Sequence, residues 1–181
     1  MRIIGGTHRS RRINAPKDLP LRPTTDFAKE SLFNILQNKI DLDGITVLDL
    51  FSGTGAISLE FASRGAANVL SIDKLYTCST FLKSKAAEFK FNQIHAFKNE
   101  AMRFLESNTM QFDVIFADPP YEYGHFQELV SAVFDRKSLK PNGLLVVEHD
   151  SKTSFKEREQ FLEHRKSGEV NFSFFINKQH E

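Results

Sequence analysis

Asp118-Pro119-Pro120-Tyr121 follows directly on the apolar run Phe112-Asp113-Val114-Ile115-Phe116-Ala117. Two consecutive prolines hold the backbone extended and remove two N–H donors, so the Asp118 carboxylate and the Pro119 carbonyl form a fixed surface of acceptors only. Such a surface suits a planar exocyclic NH2 group. With both N–H bonds directed at those acceptors, the nitrogen lone pair is less committed to ring conjugation and can point at an electrophilic methyl carbon. That reaction needs positioning more than strong acid or base catalysis. Tyr121 adds an aromatic face for stacking an unstacked base. As structure alone, the same four residues are a Pro-Pro turn that ends a strand.

A second set of residues points to a nucleoside. Asp49 begins Asp49-Leu50-Phe51-Ser52-Gly53-Thr54-Gly55, in which two glycines let the backbone approach a ligand closely and turn into a helix. Asp73 stands twenty residues after Gly53, the spacing at which a carboxylate accepts hydrogen bonds from ribose hydroxyls. A dinucleotide fingerprint wants a third glycine where this chain has Ser58, so a pyrophosphate cradle is not supported. Gly-x-Gly by itself is also an ordinary strand-to-helix turn.

These residues must be carried by an alternating α/β chain. Ile45-Thr46-Val47-Leu48-Asp49-Leu50 is a short, nearly continuous apolar run of the kind a strand buried on both faces shows. A helix over Ala56 to Arg64 and a strand over Asn68 to Asp73 complete a β-α-β unit. The alternation continues with a helix over Ser79 to Phe91, a strand over Gln93 to Lys98, a helix over Ala101 to Glu106, and a strand over Phe112 to Asp118. A helix over Phe126 to Phe134, a Pro141-Asn142-Gly143 turn, a strand over Leu144 to Glu148, a helix over Phe155 to Glu163 and a closing strand over Phe172 to Ile176 follow. A possible strand at His164 to Ser167 would make the last strand one arm of an antiparallel hairpin. The pattern predicts a mostly parallel sheet with helices on both faces, and ligands beyond its strand ends where Asp49, Asp73 and Asp118 fall. Upstream, Ala28, Leu32, Ile35 and Leu36 predict a helix from about Thr25 to Asn38.

The chain has 181 residues, 40% hydrophobic and 26% charged, which fits one ordinary core and excludes a disordered acidic chain, a collagen-like chain and a coiled-coil rod. One domain over 1–181 is expected, with a basic arm over 1–23 and a catalytic core over 24–181. Residues 1–39 hold eight Lys/Arg against three Asp/Glu, so the head is +5 and the remainder −4. Arg2, Arg9, Arg11 and Arg12 suggest an arm that contacts a polyanion, with two short strands around a turn; as structure alone it is a solvated basic hairpin. Pro16, Pro20 and Pro23 predict extended chain beyond it. Cys78 is the only cysteine and reads as an apolar packing residue. His8, His95, His125, His149, His164 and His180 show no metal-ligand spacing, so no metal is expected. The 18 phenylalanines read as core and sheet packing. No apolar stretch approaches membrane-spanning length and residues 1–12 have no apolar leader, so a cytoplasmic protein is expected.

Asp49-x-Phe51-x-Gly53-x-Gly55, Asp73 and Asp118-Pro119-Pro120-Tyr121 resemble the S-adenosylmethionine-dependent class I methyltransferases that modify amino groups. Arg2-Ile3-Ile4-Gly5-Gly6, Arg22-Pro23-Thr24-Thr25-Asp26 and Glu30-Ser31-Leu32-Phe33-Asn34 narrow the resemblance to the RsmD family, over nearly the whole chain. That resemblance implies a Rossmann-like, seven-stranded, mostly parallel sheet with an antiparallel last strand and a short N-terminal β extension. It implies methyl transfer from S-adenosylmethionine, leaving S-adenosylhomocysteine, to the N2 amine of a guanine in 16S ribosomal RNA. Asp49, Gly53 and Gly55 would line the methionine end of the cofactor, Asp73 would bind its ribose, and Glu100 with Ala101 would lie against its adenine, with Phe51 and Lys74 also at the cofactor. Asp118, Pro119, Pro120 and Tyr121 would orient the target base. Arg9, Arg11, Arg12, Arg22, Thr25 and Lys29 would contact RNA on the small ribosomal subunit, with the enzyme a monomer. The family usually has arginines where this chain has Phe27 and Lys29, and Lys29 lacks arginine's bidentate geometry. The same motif serves an adenine N6, a DNA base or a glutamine amide. A ribosome-assembly factor that binds RNA and a nicotinamide-dependent oxidoreductase are the readings from other classes.

Overall fold

A strand that is apolar on both faces is stable only between two layers of helix, and this requirement organises the molecule. A computed structural model describes residues 1–16 and 25–179. Arg22, and the extended chain expected through Pro20 and Pro23, lie outside the described residues. Among the described residues, the strands are β1 (Thr46–Leu50), β2 (Asn68–Asp73), β3 (Ile94–Lys98), β4 (Phe112–Ala117), β5 (Leu139–His149), β6 (Phe161–Ser167) and β7 (Val170–Ile176). The helices are α1 (Asp26–Gln37), α2 (Ala56–Ser63), α3 (Tyr76–Glu88), α4 (Ala101–Ser107) and α5 (Phe126–Asp135).

The strands form one sheet in the order β3-β2-β1-β4-β5-β7-β6. Pairings from β3 through β5 are parallel, and β7 runs antiparallel to both β5 and β6. This is the expected Rossmann-like architecture, and its strand order reverses between β1 and β4. One sheet face packs Val47, Val69, Val114 and Val146 beneath Leu32 of α1, Leu59 of α2 and Leu82 of α3. The other packs Leu48, Ile72, Ile115 and Val147 beneath Leu105 of α4 and Leu129 and Val133 of α5. Phe33 meets Phe61 edge-on at 4.7 Å in the first layer, and Phe155 meets Phe175 at 5.1 Å in the second. Phe27 and Phe97 depart from the packing role expected of the phenylalanines, since both are exposed.

Two local expectations fail. No helix forms over 155–163: residues 151–160 run as turns and β6 begins at Phe161. Phe155 anchors that segment in the core, and β7 takes Phe161 as the partner of Phe175, so long-range pairing overrides the local pattern. Pro141-Asn142-Gly143 is also not a turn ahead of the strand, because β5 begins at Leu139 and passes through it with a register shift opposite Phe112 and Val114. Asn142 takes the left-handed conformation there, and its amide bonds the Asn177 carbonyl at 2.7 Å.

The N-terminal arm is a hairpin docked on α2. Arg2 bridges Arg12, and the Ile3 and Ile13 amides donate to the Arg11 and Met1 carbonyls at 2.9 and 3.0 Å. Ile3 and Ile13 enter the core. The fully buried Glu60 carboxylate accepts from the amides of Ile4 and Gly5, each at 2.8 Å, and from Arg64 Nε at 2.7 Å. Lys29 is also fully buried, donates to the Arg2 carbonyl and lies 3.9 Å from Glu60. Burial holds its pKa below the ordinary lysine value. Lys29 is therefore an internal cation of the arm clamp, not an RNA contact. Thr25 is likewise occupied, its hydroxyl accepting from the Ala28 amide at 3.1 Å as the N-cap of α1. Gly6 fits only because it has no side chain, since a Cβ would lie 1.8 Å from the Ser63 carbonyl.

Removing one partner from a buried ion pair leaves the other charge uncompensated, at a cost of about 3–5 kcal/mol. Glu60→Ala is expected to lower the unfolding free energy by about that amount, read as a lower urea midpoint with an unchanged slope. A loss below about 1 kcal/mol, the range of an exposed pair, would show that the arm is not clamped by this carboxylate.

Candidate active site

β1, β2 and β4 end together, with Leu50 in register with both Ile72 and Ala117. Their carboxyl ends bring Asp49, Asp73 and Asp118 to one rim, at the point where strand order reverses. Open α/β sheets bind ligands in such crevices. The turn after β1 is left-handed at Phe51 (φ 60°), Gly53 (φ 52°) and Gly55 (φ 75°). For phenylalanine that conformation is strained and needs support from its surroundings. Gly55 is also closely packed, as a Cβ would lie 2.3 Å from Leu82 Cδ1 and force that side chain to shift.

Asp73 fixes this turn. Its Oδ2 accepts from the Gly53 amide and its Oδ1 from the Leu75 amide, each at 2.8 Å. Each carboxylate oxygen can accept a second hydrogen bond, which suits a ribose diol. Asn99 reaches the same place from the end of β3, its amide donating to the Asp73 carbonyl at 2.9 Å. Glu100 is exposed and Ala101 buried at the start of α4. Lys74 is exposed on the rim.

Asp49 lies beneath the turn, almost completely buried, and accepts from the Ser58 hydroxyl, which is itself 2.7 Å from Ser71 Oγ. Burial pushes the Asp49 pKa up to about 7, with Ser58 opposing the shift and the charges of Asp118 and Asp73 adding to it. Ser58, which stands where a dinucleotide site has its third glycine, thus holds a carboxyl in place. A small polar residue in the first turn of α2, within its otherwise apolar start Ala56-Ile57-Ser58-Leu59, is the sequence signal that marks it.

Asp118 is mostly buried and its amide reaches the Leu50 carbonyl at 3.4 Å, which keeps it beside the end of β1. Burial pushes its pKa up to about 7. Pro119 is buried, whereas Pro120 and Tyr121 are exposed, so Tyr121 presents its ring on the open side of the rim. Residues Tyr121–Tyr123 make a single 3-10 turn, closed by the Tyr123 amide on the Pro120 carbonyl at 2.8 Å. Tyr123 is a site residue that the Asp-Pro-Pro-Tyr motif does not include, although Tyr121-Glu122-Tyr123 places a second ring two residues on. Its ring meets Phe51 at 5.2 Å and Phe126 at 5.9 Å, both edge-on, tying the Asp-Pro-Pro turn to the turn after β1. Burial, then Glu100 and Glu128, raise its pKa.

The expected RNA contacts are dispersed. His8 packs on Phe91 and Phe89 at 4.3 and 6.0 Å, and the Arg11 guanidinium lies 5.2 Å from the Phe89 ring. Phe89 and Phe91 follow α3 and precede β3, so the arm's tip, with Arg9 and Arg11, lies at the amino ends of the strands. Arg9, Arg11 and Arg12 are all exposed. Cys78 is buried, and burial pushes its thiol up to about 11. Among the described residues, no group of three or more His, Cys, Asp or Glu is placed to hold a metal, and no helix is long and apolar enough to cross a membrane.

The family model described as Conserved hypothetical protein 95 matches residues 1–176. The chain is 35% identical over 150 residues to ribosomal RNA small subunit methyltransferase D of Escherichia coli (strain K12), covering 83% of this chain and 75% of that protein. It is 31% identical over 183 residues to the protein of the same name from Haemophilus influenzae, covering 98% and 94%. The solved structure of the Escherichia coli protein yhhF superposes with a TM-score of 0.88 at 27% identity, over 99% of each chain.

Asp49 binds its proton more tightly in the folded chain than in the unfolded one, where the ordinary value of 3.8 applies. The stability this contributes is complete below pH 3.8 and is lost as pH rises through about 7. Asp49→Asn is expected to be free of that loss. Its stability relative to the unsubstituted protein should climb by about 1.4 kcal/mol per pH unit between pH 5 and 7 and level off above 8. Urea titrations across that range provide the check, and a gap independent of pH would contradict the burial argument.

Proposed function

The chain belongs to the RsmD family, and on that premise we propose that it transfers a methyl group from S-adenosylmethionine to the exocyclic N2 amine of a guanine in 16S rRNA of the small ribosomal subunit. The observation that carries this reading is the placement of Asp118-Pro119 beside the Phe51–Gly55 turn at the reversal of strand order. The residues present fit the cofactor. Asp73 keeps acceptor capacity for a ribose diol, and Gly53 and Gly55 leave two positions of the turn without side chains. When bound, S-adenosylmethionine supplies a sulfonium methyl, an electrophile that needs no metal.

Phe51, Gly53 and Gly55 line the methionine end in this reading, with Asp49 holding their turn from beneath through Ser58. Asp73 and Lys74 attend the ribose, and Glu100 and Ala101 the adenine. The Asp118 carboxylate and Pro119 carbonyl accept the two N–H bonds of the guanine amine and aim its lone pair, so that binding energy is used for orientation. Pro120 keeps the turn extended, and Tyr121 stacks the base once it leaves its helix. Arg12 and Arg22 supply phosphate contacts, while Arg9 and Arg11 reach a more distant part of the particle. The chain carries every residue in this account, so a monomer in the cytoplasm suffices.

Incubation with methyl-labelled S-adenosylmethionine and small subunits lacking the modification, followed by nucleoside digestion and mass spectrometry, is expected to yield N2-methylguanosine. Label in N6-methyladenosine or in protein would redirect the assignment to another planar amine. Asp118→Ala should lower kcat by about 10²–10³-fold, the scale for losing a preorganised polar contact. Its cofactor Kd should stay within about threefold, under 1 kcal/mol. Because the ionised carboxylate is the stronger acceptor for the N–H bond aimed at Asp118, kcat should rise with pH through about 7. A flat profile from pH 6 to 8.5 would remove Asp118 from the amine-orienting role.

A further inference from the structure

The α3–β3 segment carries a concentration of positive charge that the whole-chain count conceals. Residues 74–98 hold Lys74, Lys83, Lys85, Lys90 and Lys98 against Glu88 alone, a net +4 within a body of −4. Glu88 is occupied by Lys85 at 2.6 Å, and Lys74, Lys83 and Lys98 form no ion pair among the described residues. Two aromatic rings stand exposed in the same segment: Tyr76, 67% exposed where α3 begins, and Phe97, 52% exposed near the end of β3. Lys83 reaches across from α3 to within 5.7 Å of the Phe97 ring.

Their position is set by the sheet. Phe97 and Lys98 pair with Ile72 and Asp73, so the end of β3 lies on the same rim as Asp73 and Asp118. Three strand spacings separate β3 from β4, about 14 Å. The arm's tip, by contrast, lies at the opposite rim. The cations nearest the proposed methyl-transfer site on this side are thus Lys74, Lys98 and, through its reach to Phe97, Lys83.

Protection of an exposed edge strand accounts for Lys98, because lysines discourage strand addition. It does not account for two exposed rings beside it, which work against that protection. Unpaired lysines interleaved with exposed aromatic rings are what single-stranded nucleic acid requires, with phosphates meeting the cations and bases stacking on the rings.

We propose that Tyr76 and Phe97, with Lys83 and Lys98, form a second RNA surface that stacks an unpaired base flanking the target nucleotide and holds its phosphates. This rests on the proposed RNA substrate and adds to it where the strand runs beyond the active site.

The test compares Phe97→Ala, Phe97→Tyr and Lys83→Gln/Lys98→Gln with the unsubstituted full-length protein, all at exposed positions and checked for unchanged Tm. Phe97→Ala should raise the KM for small subunits about tenfold, within the range for losing one base stack. Phe97→Tyr should restore it, and S-adenosylmethionine Kd should be unchanged in all. The double lysine variant should make the dependence of log K on log salt shallower by about 1.4 for binding to protein-free 16S rRNA, about 0.7 for each lost single-strand contact. Unchanged KM and salt slope would overturn the proposal. Weakened binding to subunits with intact binding to protein-free rRNA would also overturn it, because the occupant would then be a ribosomal protein. If the unsubstituted protein methylates no RNA, the assigned function fails, while the rRNA-binding slopes still decide whether this surface exists.

Discussion

The hydrogen bond from the Gly53 amide to Asp73 is the contact on which the site depends. It joins the turn leaving β1 to the end of β2, so the two parallel strands deliver their side chains as one assembly. The turn can be that tight only because Gly53 and Gly55 accept left-handed backbone, and because Tyr123 packs against Phe51 in the same strained region. Asp118 joins from the other side of the strand-order reversal, through its amide on Leu50. A crevice made this way needs no deep cavity, since its walls are the ends of strands that the core holds in register.

Asp49 and Asp118 are both carboxyls placed where burial disfavours their charge. Such placement lowers stability near neutral pH and is characteristic of residues retained for function. The two serve different ends. Asp49 faces inward to Ser58 and supports a backbone turn, whereas Asp118 stands at the crevice, next to prolines that offer no competing donor.

Much of this was legible in the sequence because the relevant signals are local. The apolar run of β4 followed by Asp118-Pro119-Pro120-Tyr121, and the spacing from Gly53 to Asp73, each fix a strand end within a few residues. What was not legible depended on partners distant in the chain. Lys29 reads as a surface cation, yet it stands four residues before Phe33 and seven before Leu36 on the buried stripe of α1. Its burial becomes affordable only through Glu60, thirty-one residues later. Residues 155–163 have helix-compatible composition, but β7 needs a neighbour and takes Phe161 for it. Two short strands around a turn are legible in the basic arm, while its direction across the molecule is set by where Phe89 and Phe91 fall at the amino ends of the strands.

The clamp on that arm also dictates an order of events during synthesis. Ile4 and Gly5 bond Glu60 across 56 and 55 residues, and Gly5 bonds Ser63 across 58. At about 5–20 residues per second, roughly 3–12 s pass between translation of the arm and translation of its partners. Throughout that interval Ile3 and Ile13 have no core to enter, and the arm's arginines are presented as a free cationic strand. The hairpin is therefore made before the surface it docks on, and newly made chains depend on α2 emerging promptly behind it.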